Sequence, residues 1–426
     1  MLCPSGIAAD KGAAEFFRSI STTGRLAALY DFENKKVFFP DVHASFKFCA
    51  LVFGGEQRTV TAARCAFYLH TLEEAADPEH ILALTAQDFA AVNPNTGSAP
   101  IFRTRRDADI TTAIYRRQPV MVDRRAEPPT KIWPVRYSTM FHMSGDAEHF
   151  LQKDKLEKEG WYPLGNKRWK KGDAEAIPLY EGKMVQIYDH RAASVTINAE
   201  NLKRQSNTVE TTLEQHQDSN FSINPLYWVD GSKISLSDEL TFVACHKKIT
   251  SPTNVRTMIG AIIPRRGYGD SLPIFIPDET CALDDYKKFI PLFVANLNSM
   301  ALDYVLRQKL QGLNLNLYIV EQLPLIRPEQ FEHTLGKTRI SEFVRGEVLR
   351  LSYTAHDLAP FAHDLGYDGA PFKWDEEDRR HRLARWMRCS SISTASIATM
   401  RPTSSTPSPS CASMTKRHTG VTLPKN

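Results

Sequence analysis

The stretch FPDVHASFKFCALVFGG, residues 39–55, decides the fold of the amino-terminal part of the chain. Residues 46–53 form an apolar run that one lysine interrupts, and Gly54 and Gly55 follow it, so the run predicts a fully buried strand ending in a turn. The apolar run at 26–30 predicts a second strand, and the apolar spacing within 13–20 predicts a helix before it. Helix, strand, loop and strand in this order are typical of the end of an α/β sheet.

The composition sets broad limits. A chain of 426 residues has room for two or three domains, and 42% hydrophobic with 24% charged residues is ordinary for a globular protein. A net charge of +4 permits a nucleic-acid partner without requiring one. The seven cysteines form no CxxC pair, which argues against a zinc site and a disulfide framework. With no long apolar segment and no signal pattern, we expect a cytoplasmic chain without membrane contact.

Polar residues follow the strand predicted at 26–30. Asp31, Glu33 and Asn34 lie just beyond its end, and ligands bind at that edge of an open α/β sheet. An active-site role is one interpretation of these residues. A plain polar loop is the other, and the sequence favours it.

A group of arginines in FRTRRDADITTAIYRR is the first candidate phosphate site. Arg103, Arg105 and Arg106 fit phosphate because guanidinium forks match phosphate oxygens in a bidentate way. Asp107 and Asp109 lie beside them, so pairing within the segment is an equal alternative.

Basic and aromatic residues alternate in GWYPLGNKRWKKGD, residues 160–173. Lys167 and Arg168 lie between the rings of Tyr162 and Trp169, a mixture that suits a nucleic-acid backbone and unstacked bases. A solvated hairpin is the alternative.

Two further segments contain candidate DNA contacts. In IPLYEGKMVQIYDHRAASV, residues 177–195, Lys183 and Arg191 are candidates; alternatively Asp189 pairs with Arg191, and His190 is a packed core imidazole. In HKKITSPTNVRTMIGAIIP, residues 246–264, an asparagine and an arginine precede an apolar run. These are Asn254, able to read adenine, and Arg256, able to read guanine in the major groove; alternatively they brace the strand.

Helical patterns dominate the later part of the chain. An apolar stripe at 292–310 predicts one helix that Gly312 ends, with Lys309 facing either nucleic acid or solvent. The His-Asp pairs at 356–357 and 363–364 have a spacing compatible with a metal site, but a solvated helix face fits them better.

Several of these strings resemble one family. PSGIAADKG (4–12) with the pattern at 26–55, NPNTG..PIFR.RRDA (93–108), YEGKM...DHR (180–191) and ITSxTNxRTMIxAIIP (249–264) are similar to adenine-specific DNA methyltransferases, in particular single-chain type IIG restriction-methylation enzymes. The resemblance covers about residues 1–386. It implies double-stranded DNA as partner, S-adenosylmethionine as methyl donor, and transfer to a flipped adenine in a restriction-modification or phage-defence system.

Two motifs that methyl transfer requires are missing. The family holds its methyl donor with a glycine-rich turn and clamps the base with an Asn/Asp/Ser-Pro-Pro-aromatic motif. The nearest strings are Glu127-Pro-Pro-Thr130, wrong at both ends, and Gly267-Tyr-Gly269, which prolines follow. We therefore expect no catalytic residue and no S-adenosylmethionine site here, and a DNA-recognition role without activity alone. The alternative is a non-catalytic specificity subunit beside a separately encoded catalytic half.

The expected fold is α/β plus α+β. It begins with a carboxy-terminal remnant of a Rossmann-like methyltransferase sheet (1–55) and a connecting segment (56–127). A mixed target recognition domain (128–327) and a helical region (328–386) follow. Residues 387–426 are rich in Ser, Thr and Pro, which predicts disorder. A permitted back-translation of 387–422, read one base earlier, resembles the family's carboxy terminus, so a frameshift near Arg385 is a hypothesis that the gene sequence tests.

Overall fold

The computed structural model describes residues 1–197, 206–310 and 312–395, with their side chains except those of Lys11, Leu335 and 388–395. Within these ranges the chain is a mixed α/β protein with several sheets, which confirms the expected class at that level. The disorder expected beyond residue 395, and most of the frameshift hypothesis, lie outside the described residues.

A five-stranded sheet forms the amino-terminal part. Its strands are β1 (Leu2–Pro4), β2 (Leu26–Glu33), β3 (Lys47–Phe53), β4 (Ala63–Leu69) and β5 (Leu82–Leu84). Its helices are α1 (Gly6–Ala9), α2 (Ala14–Ser21), α3 (Leu72–Ala76) and α4 (Ala86–Val92). The spatial order is β1-β3-β2-β4-β5, with β2 parallel to β4 and β3 antiparallel to both of its neighbours.

The elements predicted around residues 13–55 are confirmed in position as α2, β2 and β3. Full burial of β3 is wrong: Cys49 and Leu51 lie in the core, whereas Val52 and Phe53 are 52% and 38% exposed. The sheet continues through β4 and β5, so the end expected at residue 55 is too early. The reason is not local, because β4 pairs in parallel with β2 and not with β3, the strand before it in the sequence.

The middle of the chain is rich in strands, as expected of residues 133–326. It begins with α5 (Arg105–Arg117), β6 (Val122–Asp123), β7 (Thr130–Lys131) and β8 (Val135–Ser138). It continues with α6 (Lys153–Lys158), β9 (Tyr162–Pro163), β10 (Trp169–Lys171), β11 (Ala174–Tyr180), β12 (Ala193–Ile197), β13 (Ser206–Glu210) and α7 (Leu213–Gln217). The remaining strands are β14 (Trp228–Asp230), β15 (Phe242–His246), β16 (Gly260–Pro264), β17 (Gly267–Tyr268) and β18 (Ile274–Pro277). One sheet has the order β16-β15-β18-β8, and another has β14-β11-β10-β9 with β17 beside β11.

The single helix predicted over 292–310 is two helices, α8 (Leu283–Leu297) and α9 (Met300–Arg307), bent by 53°. The break has a cause in the residues between them. The Asn298 amide accepts from the Gly260 N–H and donates to the Gly260 carbonyl, both at 2.9 Å, so the chain is held against β16 there. The Ser299 hydroxyl then caps α9 by accepting from Leu302 N–H.

The carboxy-terminal region is helical, as predicted. It contains α10 (Leu317–Val320), β19 (Thr334–Leu335), β20 (Thr338–Arg339), α11 (Ile340–Ser352), α12 (Ala359–Asp364) and α13 (Glu376–Ala395). The buried Trp386 indole donates to the Ala295 carbonyl at 2.9 Å, which fixes α13 on α8. Because α13 continues to Ala395, disorder from residue 387 is wrong for its first residues. A continuous hydrophobic core runs from the first sheet to Trp386.

The helices of the described ranges are short or polar compared with a membrane-spanning helix. No single helix there is both long and apolar enough to cross a membrane, and only the bent pair of α8 and α9 passes when counted together.

Candidate nucleic-acid interface

A cleft of about 750 Å³ opens at the carboxyl ends of the parallel strands β2 and β4. Lys35, Lys47 and Arg103 line it, together with the Tyr68 ring. The loop between β15 and β16 lines it from the middle region, through residues 251–253. We call the cleft defined by these residues the basic cleft. Its position matches the sheet edge at which open α/β folds bind ligands.

Tyr68 is the central aromatic residue of the basic cleft. The Lys47 ammonium lies 4.6 Å from the centre of its ring, and the Arg103 guanidinium carbon lies 4.9 Å from it. Each distance is within the range of a cation–π contact. Burial raises the pKa of the Tyr68 hydroxyl, although Arg103 opposes the shift, so the phenol stays neutral. Two cations are thus held at the floor of the cleft without a carboxylate between them.

The carboxylate that does line the basic cleft is Glu33. It accepts from the Lys35 ammonium at 2.9 Å, and the His70 Nε2 lies 3.4 Å from its other oxygen. Burial opposes its ionisation, but the hydrogen bonds from Lys35 and His70 hold its pKa below the ordinary value. Leaving the two histidines aside, three cationic side chains and one carboxylate line the cleft. This excess of positive charge favours an anionic ligand.

Asp31 lies within β2, which corrects the predicted position beyond the strand, and Asn34 directly follows the strand; both have structural contacts. Asn34 is fully buried and its side chain holds the following loop through Phe39 and Val42. Asp31 is buried and accepts from the Ser5 hydroxyl. Burial raises the pKa of Asp31, with Ser5 and Lys47 opposing the shift. The plain structural interpretation fits Asn34.

The three arginines of the first candidate site separate in space. Arg103 lies in the basic cleft, whereas Arg105 lies over a different small cavity and contacts Asp109 at 3.6 Å. Asp107 caps α5 through Thr104 and so does not pair with an arginine. For Arg106, no carboxylate lies within ion-pair distance among the described residues. Its contact with phosphate stays a prediction, as does that of Arg105.

Asn254 and Arg256 differ although they are close in sequence. Asn254 is exposed on the loop between β15 and β16 and, with Arg256, lines a cavity separate from the basic cleft. Arg256 is half-buried, donates to the Asn298 carbonyl at 2.6 Å and lies 3.5 Å from Asp303. The bracing alternative therefore describes Arg256, and its reading of guanine does not fit these contacts.

The segment at 160–173 forms a hairpin whose rings are mostly internal. Trp169 is buried edge-on against Trp228, and Tyr162 is the ring left exposed. Arg168 pairs with Glu175 at 3.2 Å, and Lys167 is half-buried. Base stacking by Trp169 is thus wrong, because the ring packs in a small core. Neither Lys167 nor Arg168 lines the basic cleft, and their contacts with DNA stay predictions.

Lys183 lies in the same part of the fold. Its ammonium is 3.1 Å from Glu181 and donates to the Ser206 hydroxyl at 2.8 Å. It is half-buried and already paired. Its contact with DNA stays a prediction without support from this geometry.

Arg191 is a correction to the sequence prediction. Its side chain is fully buried, and its two terminal nitrogens donate to the carbonyls of residues 216, 218, 221 and 354 at 2.9–3.0 Å. It cannot contact DNA in this fold. Asp189 does not bind its guanidinium either, because the Asp189 carboxylate pairs with His216 at 3.0 Å. His190 is the packed core imidazole of the alternative, 2.8 Å from Asp357.

Lys309 is bonded to another part of the chain. Its ammonium donates to the Val92 carbonyl at 2.6 Å and to the Asn93 side chain, and lies 4.9 Å from the Tyr115 ring centre. Burial lowers its pKa well below the ordinary value. Lys309 is half-buried and lines a separate small cavity, and its ammonium joins the segment after α9 to the end of α4, so its contact with nucleic acid stays a prediction without support from this geometry.

Metal and cofactor binding find no support in the described residues. No group of three or more His, Cys, Asp or Glu side chains there could hold a metal ion. The solvated-face interpretation of the His-Asp pairs is wrong for Asp357, whose buried side chain pairs with His190 at 2.8 Å and Arg266 at 3.5 Å.

Gly267 and Gly269 fit packing and not a cofactor cradle. A Cβ at Gly267 would lie 2.7 Å from Val229 Cγ2, and one at Gly269 would lie 2.9 Å from Met143 Sδ.

Sequence reasoning missed Lys35, Lys47 and Tyr68. One signal was present, since Lys47 is the only charged residue in the apolar run at 46–53 and lies at the ligand-binding edge of the sheet. Tyr68 had no signal, because its partner cations come from distant parts of the chain.

Comparisons with known proteins identify no family for this chain. No protein-family model matches the chain, and no curated protein matches it. Among solved structures, the type IIG restriction endonuclease BpuSI is similar over 91% of this chain, with 8% identity and a TM-score of 0.29. The chain spans 46% of the length of that structure. A similarity of this size carries no argument about function.

Proposed function

We propose that the chain is the DNA-recognition portion of an adenine-specific DNA methyltransferase of a restriction-modification or phage-defence system, inactive by itself. One observation carries the proposal: the basic cleft has three cations against one carboxylate, at the edge of the sheet where ligands bind. The sequence motifs supply the family.

Lys47 and Arg103 are the residues of the basic cleft that we propose to contact phosphate. Lys47 and Arg103 are fixed against Tyr68, so their charges are positioned before a ligand arrives. Cations that contact phosphates position a duplex, whereas base edges are read by other groups. Residues 251–253 of the loop between β15 and β16 line the cleft, whereas Asn254 lines a separate cavity. Its amide matches adenine in the major groove, and this contact is proposed apart from the phosphate contacts of the cleft.

S-adenosylmethionine is the methyl donor that the resemblance implies. Gly267 and Gly269, the nearest strings to a glycine-rich turn, are packed against side chains and do not form a cradle for the donor. We propose that the chain acts in the cytoplasm on double-stranded DNA, and that a catalytic part outside these residues binds the donor.

A second candidate is a specificity subunit that works with a separate catalytic chain. The observation that favours it is the outer strand β1, in which Leu2 is 62% exposed. Outer strands offer unpaired backbone groups to a strand of another chain. Co-purification of a catalytic chain, lost when Leu2→Lys is introduced, supports this candidate; an unchanged yield contradicts it.

The proposal is tested by DNA binding of the full chain. We expect fluorescence anisotropy to show binding to random-sequence duplexes, and Lys47→Ala and Arg103→Ala to weaken it several-fold for every sequence. The control is Lys288→Ala, because Lys288 is exposed on α8 and does not line the cleft. Absence of binding, or equal affinity of all four proteins, contradicts the proposal.

A further inference from the structure

Two cysteines face each other across two neighbouring strands of the first sheet. Cys3 on β1 and Cys49 on β3 are direct partners in the antiparallel register, and their sulfur atoms lie 3.7 Å apart. Both thiols are free. Directly opposite residues of an antiparallel pair have Cα atoms about 4.5–5.5 Å apart, a separation that a disulfide spans. Rotation of the two side chains therefore brings the sulfurs to bonding distance while the strands keep their register.

The two thiols differ in their access to solvent. Cys49 is fully buried, and burial raises the pKa of its thiol, an effect to which Cys3 and Asp31 add. Cys3 is half-buried and belongs to the outer strand of the sheet. In exchange with a disulfide the nucleophile is a thiolate that the reagent can reach. Cys3 is therefore the residue that attacks an external disulfide, and Cys49 is the residue that reacts second.

A buried carboxylate continues the row across the sheet. Asp31 on β2 is the direct partner of Cys49, so the two side chains lie on the same face. Asp31 is 5% exposed; one carboxylate oxygen accepts from the Ser5 hydroxyl, and Oδ2 has no hydrogen-bond partner among the described residues. Burial raises the pKa of Asp31, which strengthens the carboxylate as a base. A proton acceptor therefore lies beside the thiol that is harder to ionise.

We propose that Cys3 and Cys49 are a redox-active dithiol that a low-molecular-weight disulfide, such as oxidised glutathione, converts to an intramolecular disulfide, with Asp31 accepting the proton of Cys49. The Cys3 thiolate attacks one sulfur of the external disulfide and releases the first thiol of that reagent. Cys49 then loses its proton to Asp31 and attacks the Cys3 sulfur of the mixed disulfide, which releases the second thiol. The protein loses two electrons and two protons, and the external disulfide gains them as two thiols.

The bond would join the outer strand to the core of the sheet. It links positions 46 residues apart, so it restricts the unfolded chain and stabilises the folded one. No local spacing in the sequence indicates this pair, because the two cysteines meet only through strand pairing. The inference is independent of the proposed DNA recognition.

The test equilibrates the full chain with oxidised glutathione, alkylates the thiols that remain and identifies linked peptides by mass spectrometry. We expect one link between Cys3 and Cys49, and a higher urea midpoint for the oxidised protein than for the reduced protein. Cys3→Ser should lose both the link and the rise in the midpoint. Cys281→Ser is the matched control, because Cys281 is a free, half-buried thiol just before α8, and it should behave as wild type.

Asp31→Asn tests the proton acceptor, since asparagine keeps an oxygen that accepts from the Ser5 hydroxyl. The first step should proceed at the wild-type rate. The second step should slow by roughly tenfold or more, so that the mixed disulfide of Cys3 and glutathione accumulates. A merely structural role of Asp31 would change the reactivity of Cys3 as well.

Each outcome has one meaning. If Cys3 and Cys49 stay reduced in excess oxidised glutathione, carry separate glutathione groups or link to other cysteines, the dithiol is refuted. If the link forms in Asp31→Asn as fast as in wild type, the role of Asp31 is refuted and the dithiol stands. DNA binding by reduced protein is measured separately, and its loss or presence bears only on the proposed function.

Discussion

His246 gives a quantitative prediction of acid sensitivity. It is fully buried at the end of β15, between the rings of Tyr137 and Phe275, whose centres lie 5.7 and 5.6 Å away. Its Nδ1 lies 3.2 Å from the Lys247 carbonyl, and its Nε2 has no hydrogen-bond partner within the described part of the chain. Burial lowers the pKa of the imidazole from 6.5 to about 4, because the charged form is not solvated there.

The sign of the effect follows from this shift. Below pH 6.5 the unfolded chain binds a proton on His246 that the folded chain does not bind until about pH 4. The free energy of unfolding therefore falls as the pH falls through this window. Between pH 7 and pH 5 the loss from this residue is roughly 2 kcal/mol.

The assay is urea denaturation at pH 7, 6 and 5 with three proteins. Wild type should lose roughly 2 kcal/mol more than His246→Gln between pH 7 and pH 5. His333→Gln is the matched control, because His333 is exposed and its substitution should leave the wild-type pH dependence in place. Equal losses for wild type and His246→Gln would refute the assignment of acid sensitivity to this residue.

Three further outcomes follow from contacts already described. Arg191→Met should lower the free energy of unfolding by about 3–5 kcal/mol, since it leaves buried carbonyls unpaired, and should not change the DNA affinity of folded protein; a stable variant with weak DNA binding would contradict this. Trp169→Ala should cost about 3–5 kcal/mol in urea denaturation, with DNA affinity retained, because its ring packs on Trp228. With labelled S-adenosylmethionine and duplex DNA, the isolated chain should transfer no methyl group, and measurable turnover would overturn the expected inactivity.

Local patterns predicted much of the fold. Helix α2 and strands β2 and β3 have their apolar spacing within one element, so periodicity was sufficient to find them. The break between α8 and α9 could not be predicted in this way, because the Asn298 amide binds Gly260, which lies far away in the sequence. The continuation of the first sheet into β4 also depends on pairing between separated segments.

The candidate site was predicted only in part. Arg103 lies in the basic cleft as the sequence suggested, whereas Asn254 lines a separate cavity. Arg191 and Lys309 had the same chemistry in the sequence, but Arg191 is enclosed by backbone carbonyls and the Lys309 ammonium is bonded to Val92 and Asn93. A basic residue gives no local signal of such contacts. The sequence analysis did not select Lys35 and Lys47, because Arg103 and Tyr68, which line the cleft with them, lie far away in the sequence.

The most direct test of DNA recognition by the basic cleft is the salt dependence of binding. The logarithm of the association constant is measured against the logarithm of salt concentration for wild type, Lys288→Ala and Lys47→Ala/Arg103→Ala. Each lost phosphate contact should reduce the slope by about 0.9, so the double variant should lose roughly 1.8 while Lys288→Ala keeps the wild-type slope. An unchanged slope in the double variant would contradict the assignment of the cleft to DNA.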